Sequence, residues 1–240
     1  MPLENPSHLK AFAWLLRALA GIGGAVLAFV AWPVADGAWQ AQKADAVFFR
    51  FRTGEQVQLG QAEAALASLD EAVAADPVAR RRLGRAEMLL ATALTPNLGV
   101  TDQQRAHWLK QAQADLEFGL ANAPARGVGW AQLAAARQAI DGPSAKAVAA
   151  LMMSIDTAPM MEAIWPSRLR LILDNWQFFT PQERERIDAY VAANWRASSD
   201  RRWFAEVIRS PLDELFVRYF LRNEPGSQEY LTEWLTRLKK

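Results

Sequence analysis

Few residues in this 240-residue chain have the types and spacing that chemistry needs. It has two histidines, His8 and His107, and no cysteine. A zinc-type centre draws several nitrogen or thiolate ligands from short, regular spacings, and neither histidine has such a companion. No serine, threonine or cysteine stands in a pattern with a base that would activate it as a nucleophile. Glu183 and Glu185 are two apart on an expected helix, so they do not share a face and do not form an acid–base pair. Two glycine clusters resemble phosphate loops only in composition. Gly21-Ile22-Gly23-Gly24 lies inside an apolar run, and Gly127-Val128-Gly129 has neither a preceding strand nor a following lysine. The expectation is a non-enzymatic protein with no catalytic, cofactor-binding or metal site. An unrecognised hydrolase would need an acidic pair in a cleft.

Charge narrows the partners. Lysine plus arginine number 27 against 26 acidic residues, a net charge of +1. That balance argues against nucleic acid as a partner. The densest basic cluster, Arg80-Arg81-Arg82 with Arg85, reads as a solvated helix start, with an anionic partner or lipid contact as the alternative.

The elements that would carry a binding surface begin with a membrane segment. Residues 15–34 are apolar apart from Arg17, and about 20 helical residues cross the hydrocarbon layer. Trp14, Trp32 and Trp39 stand at the ends, where interfacial aromatics are enriched. Gly21, Gly24, Ala25 and Ala28 form a small-residue face suited to packing on another membrane helix, in the looser small-xxx-small form. A cleaved signal peptide is the rival reading, but no small-x-small cleavage site follows the run. The expectation is a single-pass anchor in a bacterial inner membrane, with the rest of the chain in the periplasm and the bilayer contacted through one helix.

After residue 38 no stretch shows sustained strand alternation, and the fold class expected is all-α. Helices are expected over 38–58, 62–76, 78–94, 101–122, 127–140 and 145–157. Three of them carry one pattern at four-residue spacing: Ala65–Leu69–Val73–Pro77, Ala112–Leu116–Leu120–Pro124 and Ala147–Leu151–Ile155–Pro159. The spacing puts the apolar positions on one face, and the proline ends the helix. Residues 127–159 add Trp130, Leu133 and Ala134 on the preceding helix and Gly142 at the turn.

These positions resemble the tetratricopeptide-repeat family, whose helix pairs combine a bulky and a small residue early in the first helix, a glycine near the turn, and alanine, an apolar residue and a final proline in the second. The resemblance covers about 115 of the 240 residues. It implies an α-solenoid of about three helix pairs over 38–159, following a tail (1–14) and the membrane helix (15–34). It also implies protein binding. The stretch 123–134 is similar to repeat segments of bacterial proteins of envelope polysaccharide synthesis and export.

Trp165 stands 35 residues after Trp130 and starts a fourth unit, but Arg168 falls where Leu133 would be, and the pattern fades. Residues 160–240 read as a helical extension, with helix starts at Thr180-Pro181-Gln182-Glu183, Ser199-Asp200, Ser210-Pro211 and Ser227. Its aromatics cover a solenoid end or, alternatively, form a partner groove around Trp176, Trp195, Trp203, Phe216 and Phe220. The expected function is a membrane-anchored scaffold that binds other envelope proteins. The alternative is an accessory structural subunit of a multisubunit inner-membrane complex.

Overall fold

The computed structural model describes the backbone of residues 6–238 and the side chains of residues 14–238. His8, Lys10 and the first five residues of the expected tail lie outside the described side chains. The described residues are helical to 80% and contain no strand. The chain divides into two compact units, Met1–Arg81 and Arg82–Lys240. The division falls within the stretch 38–159.

The first unit holds α1 (Pro6–Gln42), α2 (Asp45–Thr53) and α3 (Leu59–Ala75). The expected break between membrane segment and first helix does not occur. α1 runs unbroken to Gln42, and the chain turns at Lys43-Ala44 instead of passing through a single helix over 38–58. The physical reason is the packing of α1 on α3. Gly37 is buried there, and a Cβ on it would come within 3.1 Å of the Ala72 carbonyl and of Asp76 Cβ. Residues 36–42 are therefore recruited as packed helix rather than left as linker. From Trp14 to Val34 every residue is exposed. Among the described residues one helix, Trp14–Gln42, is long and apolar enough to cross a membrane.

In the second unit α4 (Ala79–Leu94, continuing from the first unit) is followed by α5 (Asp102–Asn122), α6 (Gly127–Asp141) and α7 (Ala145–Thr157). Then come α8 (Trp165–Asn175), α9 (Pro181–Ala197), the single turn α10 (Trp203–Glu206), α11 (Pro211–Phe220) and α12 (Ser227–Leu238). Starts follow local chemistry. Thr101 forms a capping box with Gln104, Thr180 with Glu183 and Ser210 with Asp213, while Ser144 accepts from the Ala147 N–H at 3.3 Å. The start expected at Ser199-Asp200 yields only α10.

The three proline-ended helices finish alike. α3, α5 and α7 each stop two residues before Pro77, Pro124 and Pro159. The residue before each proline has left the helical region, at φ/ψ of −145/89° for Asp76, −143/66° for Ala123 and −152/64° for Ala158. A following proline ring disfavours the α region at that residue, so the helix stops there. Ala65, Leu69, Ala112, Leu116, Ala134, Ala147 and Leu151 are all buried, and the three prolines are exposed. The Trp130 indole N–H donates to the Pro124 carbonyl at 2.8 Å, and the Trp165 indole N–H donates to the Pro159 carbonyl at 3.0 Å. The same clasp thus recurs 35 residues on. Gly142 holds φ +77° at the turn between α6 and α7, a conformation glycine adopts without strain.

Two charged groups are central to the second unit. Arg168 is fully buried. Its Nε and Nη2 donate to Ser154 Oγ at 3.0 and 2.8 Å, and its Nη1 donates to the Ala158 carbonyl at 2.8 Å and to Tyr190 Oη at 3.1 Å. It occupies the place of Leu133 and neutralises the carbonyl-rich end of α7, where a cation is favoured. The basic cluster also turns inward in part. Arg85 grips the buried Asp115 with Nε at 2.6 Å and Nη2 at 2.8 Å, and Arg82 adds Nη1 at 3.1 Å. The expected solvated face therefore holds for Arg80, which is exposed, and not for these two.

Candidate partner groove

The five aromatics expected to form one groove belong to two clusters. In the first, Trp176 lies 5.3 Å from Phe216 and 5.2 Å from Phe220, centroid to centroid. In the second, Trp195 meets Phe204 edge-on at 5.1 Å, and Trp203 stacks on Phe204 at 3.7 Å. Trp195 and Phe220 are each 2% exposed, so they are core anchors and not groove lining. Trp203 is half-buried and ties its indole N–H to Ser198 Oγ at 3.1 Å. Only Trp176 and Phe216 reach an open surface together.

That surface is a groove of about 900 Å³ between α9 and α11, lined by Trp176, Arg184, Asp188, Leu215, Phe216 and Tyr219 among others. α11 explains it. Asp213, Val217 and Phe220 turn inward. Leu212, Leu215 and Tyr219, at i, i+3 and i+7, form a second apolar stripe facing out, with exposures of 60, 63 and 49%. One short helix is thus apolar on both sides, and core packing accounts for only one. The sequence carries the signal as two interleaved series with helical spacing, and the aromatics expected in the groove include Phe216 and Phe220 but not Leu212, Leu215 and Tyr219.

Ionic ties hold the walls. Arg222 forms a fork onto Asp188 at 2.9 and 2.7 Å and lies 4.1 Å from the Tyr219 ring centre. The Arg184 guanidinium sits 5.2 Å over Trp176 and donates to that residue's carbonyl at 3.3 Å. Beneath α11, Arg170 of α8 reaches Asp213 with Nη1 at 2.9 Å and Nη2 at 3.0 Å. Burial pushes the Asp213 carboxyl up, but the Arg170 fork, the Arg209 backbone N–H and the Ser210 side chain outweigh it and hold the pKa at about 2. The same fork raises Arg170 further above its ordinary value, against the opposing effect of burial. The arrangement fixes the angle at which α11 presents its outer stripe.

The other sequence-derived sites are placed as follows. Gly21, Gly24, Ala25 and Ala28 are exposed, and a Cβ added at Gly21 or Gly24 would meet nothing within 4 Å. Gly127 is buried at the start of α6, where an added Cβ would collide with Ala158, and its carbonyl accepts from Ser154 Oγ at 2.5 Å. That glycine serves close packing. His107 is exposed on α5. Among the described residues no group of three or more histidine, cysteine, aspartate or glutamate side chains is placed to hold a metal ion. No family model, curated protein or solved structure matches the chain.

Proposed function

We propose that this chain is a non-enzymatic, membrane-anchored scaffold that binds a protein partner in the groove between α9 and α11. The outer stripe of α11 carries the reading. Three large apolar side chains stand exposed on a helix whose other face is already packed, and two of them, Leu215 and Tyr219, line a groove of about 900 Å³. Exposed apolar stripes of this spacing bind apolar segments of partners. The recurring proline endings and the Pro–Trp clasp support a tetratricopeptide-like array of helix pairs. α1 supplies the anchor. The domain beyond it is assigned to the periplasm and to an envelope process, with polysaccharide synthesis or export the leading candidate. No enzymatic step, cofactor or nucleic acid enters the proposal.

A second reading, an accessory subunit of an inner-membrane complex, is favoured by the open Gly21–Gly24 face of α1. Mild-detergent purification of the intact chain with identification of bound proteins separates the two. A partner that is retained after deletion of residues 15–34 and lost with Leu215→Glu supports the groove. A stoichiometric partner lost with the membrane helix and indifferent to Leu215→Glu supports the subunit. A reporter fused after Lys240, active only in the periplasm or only in the cytoplasm, tests the side of the membrane.

A further inference from the structure

The 18 residues between Arg17 and Asp36 carry no charge. As a helix they measure about 27 Å, close to the thickness of a hydrocarbon core. Val34 therefore marks the level at which α1 leaves the hydrocarbon. The turn between α3 and α4 is fastened at that level. Arg81 Nη2 donates to the Val34 carbonyl at 3.4 Å, and Arg81 Nε lies 3.8 Å from Asp76 Oδ2. Asp76 Cβ is in turn 3.1 Å from where a Gly37 side chain would begin. α3 thus brings residues 76–81 back beside residues 34–37, within the first turn of α1 beyond the apolar span.

What the turn presents there suits a lipid surface. Arg81 is spent on holding the turn, its side chain only 11% exposed. Its neighbours are open: Pro77 and Arg80 are exposed, and Val78 is 45% exposed. The polar layer on each side of a bilayer is about 5–7 Å deep, so a turn at the level of Val34–Gly37 lies within it. An apolar tip beside an arginine matches that layer, the valine toward the acyl boundary and the guanidinium toward phosphate.

We propose that the α3–α4 turn is a second membrane contact, in which Val78 enters the interface and Arg80 binds the phosphates of anionic headgroups. It rests on the reading that α1 spans the bilayer. Two fixed points, the helix and the turn, then set the tilt of the first unit on the membrane.

The absence of cysteine makes the test direct, because each introduced thiol is unique. The full chain is reconstituted in phosphatidylcholine nanodiscs with and without phosphatidylglycerol. An environment-sensitive fluorophore is placed through Val78→Cys, Leu27→Cys or Gly60→Cys, the last about 22 Å along α3 from the turn. Doxyl-labelled lipids quench at the headgroup boundary or deep in the acyl layer. The expected result is shallow quenching from position 78, deep quenching from position 27 and none from position 60. In anionic discs, Arg80→Gln should lower the interfacial population of the position-78 probe about fivefold. Deep quenching at 27 with position 78 as unquenched as position 60 overturns the second contact while leaving the span intact. Loss of quenching at 27 overturns the span itself, and the second contact with it. A shallowly quenched position 78 that ignores both phosphatidylglycerol and Arg80→Gln overturns the headgroup assignment.

Discussion

Arg168 offers the sharpest test of how the second unit is held together. It is a fully buried cation that, among the described residues, no hydrogen bond ties to a carboxylate, and its partners are the Ser154 hydroxyl and carbonyl, the Ala158 carbonyl and Tyr190 Oη. Arg168→Met replaces most of the volume but removes every donor. The Ser154 carbonyl still accepts from the Ala158 N–H at 3.2 Å, and the Ser154 hydroxyl still has the Gly127 carbonyl at 2.5 Å. The groups that lose a donor are the Tyr190 hydroxyl and the Ala158 carbonyl, which keeps only the long bond from the Met161 N–H at 3.4 Å. At roughly 1 kcal/mol each, and with the charge at the end of α7 also lost, the variant should be about 2–3 kcal/mol less stable. Arg168→Ala adds a cavity and should cost about 3–5 kcal/mol. For a domain of this size, Arg168→Met should lower the melting temperature by roughly 4–12 °C. The assay is urea unfolding of the full chain in detergent, followed by near-ultraviolet circular dichroism of the tryptophans, with thermal melts alongside. A double-mutant cycle with Ser154→Ala should give a coupling on the order of 1 kcal/mol. Buried ion pairs are sometimes replaced by hydrophobic residues at no cost. If Arg168→Met is as stable as the parent and additive with Ser154→Ala, the guanidinium only fills space and the reasoning fails.

Three further outcomes are expected. Asp115→Ala removes the buried carboxylate that Arg85 and Arg82 share and should destabilise the second unit by about 3–5 kcal/mol in urea unfolding. Ala147→Leu places a larger side chain at a position that is 1% exposed, and overpacking should cost about 1–3 kcal/mol in the same assay. Asp213 has a folded pKa of about 2, below its unfolded value, so its contribution is present above about pH 4 and is lost as pH falls toward about 2. Asp213→Asn should flatten that part of the acid-unfolding curve while lowering stability at neutral pH, and a variant with an unchanged acid limb would show that the Arg170 fork is not what stabilises α11.

Short-range signals determined much of this protein. The apolar run of α1, the capping boxes at Thr101, Thr180 and Ser210, and the proline endings after α3, α5 and α7 are all legible because each depends on residues within about one or two helical turns. The four-residue spacing identified Ala65, Leu69, Ala112, Leu116, Ala147 and Leu151 as buried, since periodicity alone selects a face. Tertiary structure decided which surface each face meets. Arg168 reads as a break in the pattern until the end of α7, 14 residues away in sequence, is brought against it. Arg82 and Arg85 read as a solvated patch until Asp115 arrives from 30 or more residues on. The aromatics of residues 160–240 look alike in sequence. Packing divides them into the core anchors Trp195 and Phe220 and the groove residues Trp176 and Phe216, and it leaves Leu212, Leu215 and Tyr219 outside. A charge or an aromatic ring is stable in either setting, depending on what desolvates and partners it, and that partner is set by the path of the whole chain.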